Sequence, residues 1–241
     1  MIQLGLIGRN IAYSFSEKYF QEKFKILNLE IYDYRLFDLQ KIEEVTTLFN
    51  NKSLLGLNVT IPYKTEILTY LDELSDEAQV IGAVNTIHIK NSKKIGYNTD
   101  AYGFKESLTP LLKPHHQKAL ILGNGGAAKA VKYVLNTLGI DYRLVTRQED
   151  ENLNFGDIDA AIIESHTLIV NCTPLGTFPQ ITDAPNIPYR LLNSNHLLYD
   201  LIYNPIETQF LKNGTSKGAQ TKNGLEMLHL QAEKAWDIWN S

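Results

Sequence analysis

Cysteine is almost absent from this chain, and its scarcity excludes several kinds of site. Cys172 is the only cysteine among 241 residues, so neither an internal disulfide nor a cysteine-based zinc site can form. One thiol in a chain of this length is typical of a reducing compartment, and we expect a cytoplasmic location. The histidines fall at no metal-ligand spacing, so we expect no metal and interpret them as surface or loop residues. They are His88, His115, His116, His166, His196 and His229.

Long apolar runs and clusters of one charge sign are also lacking. No run approaches the roughly 20 apolar residues of a membrane-spanning helix. The N-terminal residues have neither the basic segment nor the long apolar core of a signal peptide. A net charge of −4 with scattered Lys and Arg provides no basic stripe for nucleic acid. We therefore expect a small-molecule partner rather than a membrane or nucleic acid, and either a monomer or a homodimer.

What the chain does contain indicates an α/β protein with two domains. An apolar content of 44% and a charged content of 21% are ordinary for a globular protein, and the length allows two cores. Strands alternating with helices of about ten residues predict parallel βαβ units. We expect a mixed α/β domain over 1–100, joined by a C-terminal helix over 225–241. Residues 101–224 should form a Rossmann-type domain with a doubly wound parallel sheet.

The segment 58–64, Asn-Val-Thr-Ile-Pro-Tyr-Lys, places polar side chains at the end of a predicted strand. Its proline and the spaced leucines that follow predict a helix over 64–74. Lys64 would then lie in the first turn, where the helix macrodipole disfavours a cation. An ammonium held there, beside Asn58 and Thr60, can serve as an acid or base. The alternative is an ordinary solvated lysine at a helix start.

Other polar residues interrupt or follow predicted strands. Ser14 and Ser16 lie in a loop after the first strand, and their hydroxyls can point the same way in an extended segment. Asn85 interrupts a strand predicted over 80–89. Asp100 precedes a predicted helix, where it would act as an N-cap for free N–H groups. As a site residue it would face the lysine and Asn85, and the two roles are compatible.

A glycine-rich loop joins a buried apolar strand to a helix. The run over 119–122 meets Gly123-Asn-Gly-Gly-Ala-Ala at once, and apolar residues then recur at helical spacing. This is the strand, loop and helix context of a dinucleotide-binding fingerprint. Gly123 permits the tight turn, Gly125 lets the backbone approach a pyrophosphate, and the helix N-terminus donates to the anion. A plain tight turn between strand and helix is the alternative.

The next predicted strand, 142–147, ends on Thr146 and Arg147. In a dinucleotide-binding unit this position reads the adenosine ribose, where a carboxylate accepts from the hydroxyls and an arginine pairs with a phosphate. Arg147 therefore favours NADP, whereas Glu149 and Asp150 keep NAD open. Two further buried strands are predicted over 167–171 and from 197, each with a polar loop at its C-terminal end. The final helix is predicted over 225–239.

Several of these segments, taken in order, match one family. They are Ser14 and Ser16, 58–64, Gly82-Ala-Val-Asn-Thr86, Asn98-Thr-Asp100, Gly123 to Ala127, Asn171-Cys-Thr-Pro-Leu-Gly176, and Gly224 followed by Gln231. With these motifs the chain resembles the shikimate dehydrogenase family over nearly its whole length. The resemblance implies an enzyme that reduces 3-dehydroshikimate to shikimate with NADPH in aromatic amino-acid biosynthesis. It also implies an N-terminal substrate domain, a Rossmann cofactor domain and an active site in the cleft between them.

The resemblance also implies roles for individual residues. Ser14 and Ser16 would bind the substrate carboxylate with Tyr203 nearby, and Lys64 and Asp100 would form the catalytic pair. The substrate hydroxyls would be bound by Thr60, Asn85, Asp100 and Gln231. The cofactor would be bound by Gly123, Asn124, Gly125, Gly126, Ala127, Thr146, Arg147, Leu201 and Gly224.

This chain departs from the family pattern at three places, and two rival functions stay open. Glu17 replaces a usual proline, the segment after Arg147 is too short for the usual helix, and the chain stops at Ser241. One rival is an NAD-dependent quinate/shikimate dehydrogenase, which Arg147 disfavours. The other is a non-catalytic dinucleotide-binding sensor, which has no need for an acid/base pair.

Overall fold

The computed structural model describes residues 1–12, 14–147 and 152–241, and these form two compact units. Unit 1 comprises residues 1–99 and 232–241, and unit 2 comprises residues 100–231. The division falls within two helices, α4 (Thr99–Leu108) and α8 (Leu225–Trp239). Across the described ranges, no helix is both long and apolar enough to cross a membrane.

Unit 1 is built on a mixed sheet. Its elements are β1 (Ile2–Gly8), α1 (Phe15–Ile26), β2 (Tyr32–Asp38), α2 (Val45–Phe49), β3 (Leu54–Val59), β4 (Glu73–Leu74), α3 (Asp76–Ile81), β5 (Thr86–Lys90) and β6 (Lys93–Tyr97). Within the described residues the sheet has six strands in the order β2-β1-β3-β5-β6-β4. β1 pairs in parallel with β2 and β3, whereas β5 is antiparallel to both β3 and β6. The prediction of parallel pairing is thus confirmed for the first three strands and for the short pair of β4 with β6, whereas β5 pairs antiparallel on both sides.

Aromatic side chains fill the core on one face of this sheet. Leu4 and Leu6 of β1 and Tyr34 of β2 pack against Phe20 of α1 and Trp239 of α8. The Phe20 ring stacks on the Tyr34 ring with centroids 4.6 Å apart, and the Trp239 indole donates to the Ile87 carbonyl at 2.9 Å. Because α8 reaches this face, the end of the chain helps to close the core of unit 1.

Unit 2 is a doubly wound parallel sheet, as predicted. Its elements are β7 (Lys118–Leu122), α5 (Gly126–Thr137), β8 (Asp141–Thr146), β9 (Leu153–Asn154), α6 (Ala160–Ser165), β10 (Leu168–Asn171), β11 (Leu197–Asp200), α7 (Gln209–Thr215) and β12 (Gln220–Lys222). The strand order in the described part of the chain is β12-β11-β10-β7-β8-β9, all parallel. The winding direction therefore reverses between β7 and β10, the place where such sheets bind ligands.

The predicted helix over 64–74 is wrong. Residues 66–70 form only a short 3₁₀ helix, and residues 73–74 form β4, which pairs with β6. Asp72 also bonds through its backbone N–H to the Lys94 carbonyl at 2.9 Å, and its carboxylate accepts from the Lys94 N–H at 2.7 Å. The backbone hydrogen bonds at the end of this segment are thus made with a distant strand. The spacing of the leucines alone had indicated a helix there.

The strand predicted over 80–89 is wrong in its first half, because residues 76–81 form α3. Ser75 caps this helix by accepting from the Ala78 N–H at 3.2 Å, and Gly82 ends it in the left-handed conformation with φ of 65°. The sequence carried both signals, a serine before two acidic residues and a glycine after the last turn. β5 then begins at Thr86, and the predicted final helix is confirmed as α8.

Candidate active site

In unit 1 the loop that follows β1, which leads to Ser14 and Ser16, is hydrogen-bonded to the residues that follow β3. The Thr60 N–H donates to the Ile7 carbonyl at 2.9 Å, and the Arg9 N–H donates to the Ile61 carbonyl at 3.2 Å. Gly8 allows this approach, because a Cβ there would lie 2.5 Å from the Thr60 methyl group. The half-buried Ser14 follows in this loop, and its N–H donates to the Ile11 carbonyl at 2.9 Å.

The two serines occupy the start of α1. Ser14 is the N-cap, and its Oγ accepts from the Ser16 N–H at 3.2 Å. A serine hydroxyl that accepts in this way still has its own proton to donate. Together with the exposed N–H groups of the first turn, the Ser14 hydroxyl can bind an anion such as a carboxylate.

A buried polar network extends from Tyr34 to the start of α4. The Tyr34 hydroxyl donates to Asn58 Oδ1 at 2.7 Å. Asn58 Nδ2 donates onward to Thr86 Oγ1 at 3.3 Å. Asn85 follows, with its Oδ1 accepting from Thr86 Oγ1 at 3.1 Å and from the Thr99 N–H at 2.7 Å, while its Nδ2 donates to Thr99 Oγ1 at 2.9 Å. The network orients Asn85, one of the residues singled out from the sequence.

Asn58 is part of this network rather than of an open site. Its side chain is 5% exposed and its amide bonds to the buried groups Tyr34, Thr86 and the Asn85 carbonyl. Asn58 therefore links neighbouring strands through their polar groups.

Lys64 lies in a series of turns between β3 and the short 3₁₀ helix, and it is half-buried. Its carbonyl accepts from the Val84 N–H at 2.8 Å, and the Asn85 carbonyl accepts from the Val59 N–H at 2.8 Å. Lys64 and Asn85 therefore belong to backbone segments that are hydrogen-bonded side by side. Because no α-helix begins at this lysine, the macrodipole argument for its chemistry does not apply.

Asp100 is not an N-cap. α4 begins at Thr99, so Asp100 lies within its first turn and is 7% exposed. Its carboxylate is still well placed for the positive end of the helix dipole. The capping prediction is wrong because the helix begins before Asp100. The Asn98 side chain donates to the Ala83 carbonyl at 2.9 Å, and the Thr99 N–H donates to Asn85 Oδ1 at 2.7 Å, which fixes the start of the helix there.

Within unit 2, α4 and α8 approach closely at a glycine. A Cβ on Gly103 would lie 2.5 Å from the Met227 carbonyl and 3.2 Å from the Gln231 Cβ. Asp100 and Gly103 are three residues apart, hence on the same face of α4. The crossing of these helices brings the Gln231 backbone to the face of α4 that carries Asp100. The sequence analysis missed Gly103, although a glycine inside a predicted helix is a signal of close packing.

The glycine loop has the geometry of an anion site. Gly123 has φ of 96°, and a Cβ there would meet the Thr173 methyl group at 3.0 Å, so a side chain is excluded. Gly125 is the N-cap of the 12-residue helix α5, and the space where its Cβ would stand is open. The Gly123 N–H donates to the Val145 carbonyl at 2.8 Å, so the N–H groups that can face an anion at the β7/β10 reversal point are those of Asn124, Gly125, Gly126 and Ala127. These residues fit a dinucleotide pyrophosphate.

Thr146 and Arg147 come at the end of β8, as predicted. Thr146 is buried with 7% exposure, and Arg147 is exposed. An exposed guanidinium at this position is free to form a fork with a phosphate. Glu149 and Asp150, the carboxylates that kept NAD open, lie outside the described residues. The segment after Arg147, expected to be too short for the usual helix, lies partly outside the described residues, and the next described elements are β9 and the six-residue α6.

Leu201 and Gly224 are in direct contact, at the C-terminal end of β11. The Gly224 N–H donates to the Ile202 carbonyl at 3.0 Å, and any Cβ on Gly224 would overlap the Leu201 carbonyl. Half-buried Tyr203 follows in the same loop. The structure thus brings together residues that the resemblance placed near the nicotinamide.

A buried carboxylate that the sequence analysis overlooked holds this loop. Asp200 is 0% exposed, and its Oδ1 accepts from Asn171 Nδ2 at 3.0 Å and from the Ile202 N–H at 3.1 Å. Its Oδ2 accepts from the Thr208 hydroxyl at 2.6 Å, which caps α7. Burial raises the pKa of Asp200 from 3.8 to about 6, although these donors oppose the shift. The only sequence signal was an aspartate within an otherwise apolar strand.

Within the described ranges, no group of three or more His, Cys, Asp or Glu side chains can hold a metal. The expectation that the histidines are surface or loop residues is wrong for His88, which lies in β5, whereas His116, His166 and His196 are loop residues that are buried. His88, His116, His166 and His196 are 2–7% exposed. Burial lowers the pKa of His88, His116 and His166, which favours their neutral forms.

Comparison with known proteins gives consistent matches. Residues 6–87 match the shikimate dehydrogenase substrate binding domain. The chain is 41% identical to the shikimate dehydrogenase (NADP(+)) of Clostridium beijerinckii, over 98% of this chain and 90% of the relative. It superposes with a TM-score of 0.87 on Thermus thermophilus shikimate 5-dehydrogenase solved with NADP(H) and shikimate, at 30% identity, covering 99% and 93% of the two chains. A quinate dehydrogenase of Corynebacterium glutamicum solved with NAD also matches, with a TM-score of 0.87, 27% identity and coverage of 99% and 93%.

Proposed function

The chain belongs to the shikimate dehydrogenase family, and from that premise we propose that it catalyses the reversible NADPH-dependent reduction of 3-dehydroshikimate to shikimate. The resemblance seen in the motifs is confirmed. Similarity over almost the entire chain to NADP-dependent members carries the proposal. We assign the reaction to aromatic amino-acid biosynthesis and to the cytoplasm, in line with the single thiol of the chain.

We assign substrate binding to unit 1 and to the polar residues that flank its division from unit 2. Ser14 and Ser16 would bind the carboxylate with Tyr203, because hydroxyl donors at the start of α1 suit an anion. The ring hydroxyls would bind to Thr60, Asn85, Asp100 and Gln231. Asn85 is pre-oriented for this role, because its Oδ1 is already bonded to Thr86 and Thr99.

We assign the cofactor to unit 2. The glycine loop would bind the pyrophosphate, Thr146 and Arg147 the adenosine phosphate, and Leu201 and Gly224 the nicotinamide region. The fit is supported by the open space at Gly125 and by the exposed guanidinium of Arg147. When bound, NADPH supplies the hydride for the ring carbonyl carbon.

The proton is the part of the reaction that falls to protein side chains. Reduction of a carbonyl leaves an alkoxide, which needs a proton on its oxygen. Lys64 is the proposed donor in this direction and the acceptor in the reverse one, with Asp100 as the second member of the proposed catalytic pair. The Val84 N–H donates to the Lys64 carbonyl and the Val59 N–H donates to the Asn85 carbonyl, and these bonds hold the backbone at Lys64 in a defined position.

Steady-state kinetics of Lys64→Ala tests this assignment. A lost general acid–base catalyst lowers kcat by roughly 10²–10⁴-fold, with only a modest change in KM for shikimate. Lys52→Ala is the matched control, since Lys52 is an exposed lysine of the same unit. A raised KM with surviving kcat would show that Lys64 only binds the substrate, and turnover near that of the control would remove it from the mechanism.

The same absorbance assay distinguishes the rival functions. Purified protein is offered shikimate or quinate with NADP or NAD, and formation of the reduced cofactor is followed. We expect the highest kcat/KM with shikimate and NADP. A preference for quinate with NAD would identify the alternative dehydrogenase, which the match to a quinate dehydrogenase keeps relevant. No reduction with any pair would support a sensor.

A further inference from the structure

Asp200 and Asn171 form a buried polar pair at the C-terminal edge of the unit 2 sheet. Both residues are 0% exposed, and they are paired in register at the ends of the adjacent strands β11 and β10. Asn171 Nδ2 donates to Asp200 Oδ1 at 3.0 Å, and the same carboxylate oxygen accepts from the Ile202 N–H at 3.1 Å. On its other side Asn171 is in register with Leu122, the residue before the glycine loop.

The carboxylate decides which way the Asn171 amide points. Burial raises the pKa of Asp200 to about 6, so above that pH the group is ionised and can only accept hydrogen bonds. The Asn171 NH₂ group therefore faces Asp200, and its oxygen faces the opposite way. There Oδ1 accepts from the Thr173 N–H at 3.0 Å and from the Thr173 hydroxyl at 2.7 Å. An inverted amide would set an oxygen against the carboxylate and an NH₂ group against the Thr173 N–H, so this orientation is fixed.

Through this amide the carboxylate is connected to the glycine loop. Thr173, held by Asn171, also accepts the Leu175 N–H with its Oγ1 at 3.3 Å. Its methyl group faces Gly123, where a Cβ would lie only 3.0 Å away. Asp200, Asn171 and Thr173 thus form a continuous series of contacts that ends at the first glycine of the loop.

We propose that Asp200 is a positioning residue for the cofactor, which acts through Asn171 and Thr173 on the glycine loop that would bind the NADP pyrophosphate. These bonds hold the residues after β10 against Gly123 before the cofactor arrives. Binding then does not have to order this region, and preorganisation of that kind raises affinity. The inference rests on the proposed function, since it takes unit 2 as the NADP site. Asp200 acts indirectly, because it has no exposed surface with which to touch the cofactor.

Dissociation constants for two ligands, measured by titration calorimetry, test the proposal. NADP includes the pyrophosphate, whereas adenosine 2′-monophosphate has only the part assigned to Thr146 and Arg147. Asp200→Ala should weaken NADP binding about tenfold or more, as expected for lost bonds to a charged group, and change the affinity for adenosine 2′-monophosphate less than about twofold. Asp200→Asn should keep NADP affinity within about threefold of wild type. The reason is that the amide oxygen can retain the bonds from Asn171 and Ile202.

Thr208→Val separates this role from a purely structural one. The Thr208 hydroxyl donates to Oδ2, the carboxylate oxygen that Asn171 does not contact. Its removal should lower stability toward urea and leave both dissociation constants within about twofold of wild type. Three results would overturn the proposal: unchanged NADP affinity in Asp200→Ala, equal weakening of both ligands by it, or an Asp200→Asn variant that binds NADP no better than Asp200→Ala. A Thr208→Val variant that weakens NADP as much as Asp200→Ala would overturn it as well.

A second variant keeps the test decisive if Asp200→Ala does not fold. Asn171→Ala leaves the bonds of Asp200 to Ile202 and Thr208 in place and removes the link to Thr173. NADP binding should again weaken about tenfold while adenosine 2′-monophosphate still binds, and an unchanged NADP affinity would refute the role. If wild type itself does not bind NADP, the proposed function has failed. If wild type binds NADP and oxidises shikimate but these variants bind NADP equally well, this inference alone is wrong.

Discussion

Asp200 makes the stability of this protein depend on pH in a direction unusual for an aspartate. Its pKa is raised from 3.8 to about 6 by burial, so between these values the folded protein binds more protons than the unfolded chain. The contribution of this group to stability is therefore complete below pH 3.8 and is lost as the pH rises through about 6. At roughly 1.4 kcal/mol for each pKa unit, the loss amounts to about 3 kcal/mol.

Replacing this carboxylate by the uncharged amide, Asp200→Asn, should remove that dependence. The amide oxygen can keep the bonds from Asn171 and Ile202, and the amide N–H group can donate to Thr208. The stability of the variant relative to wild type should increase by about 3 kcal/mol between about pH 4 and about pH 7.5. Urea unfolding followed by circular dichroism at these pH values measures it.

The comparison between variant and wild type isolates Asp200 from the buried histidines. The pKa values of His88, His116 and His166 are lowered from 6.5, so each contributes stability above that pH that is lost as the pH falls. Both proteins share this opposite dependence, which cancels in the difference. Asp183→Asn, at an exposed carboxylate of unit 2, is the control and should show no such trend. A stability difference for Asp200→Asn that stays constant over this pH range would refute the reasoning.

Two other predictions concern the core and the cofactor. Trp239→Ala should lower the free energy of unfolding, measured with urea, by about 3–5 kcal/mol. The reason is that the indole is only 2% exposed, packs against Phe20 and donates to the Ile87 carbonyl. A decrease below about 1 kcal/mol would contradict this packing. Arg147→Ala should weaken NADP binding about ten- to a hundredfold and leave NAD nearly unchanged, as titration calorimetry would measure, with exposed Arg190→Ala as control. Equal losses for both cofactors would exclude a phosphate contact.

The elements that sequence predicted well are those whose signals are local. The strand over 119–122, its glycine loop and the following helix were all confirmed. A buried strand, a positive φ and a helix start each require particular residue types at adjacent positions, which can be recognised in the sequence. α8 was predicted with its observed bounds from apolar spacing alone. The family could also be identified from the sequence, since short motifs in a fixed order can be recognised without knowing which residues are in contact.

The failures are places where distant segments compete with local preference. Leucines at helical spacing after Lys64 did not form a helix, because residues 73–74 pair with β6. The helix that Asp100 was expected to cap begins before it, at Thr99, whose N–H bonds to Asn85, 14 residues earlier. Propensity is a weak bias of a fraction of a kcal/mol per residue, and a satisfied set of strand hydrogen bonds outweighs it.

By itself the sequence determined the family, the doubly wound sheet, the glycine loop and the set of polar residues from which a site can be built. Only the tertiary structure decided how those residues are held. The contact from Tyr34 to Asn58 joins residues 24 apart across an intervening strand, and Asp200 clamps Asn171, which is 29 residues earlier. Neither contact leaves a periodicity or a motif in the chain, because a buried polar side chain is defined by partners that only folding brings within hydrogen-bonding distance.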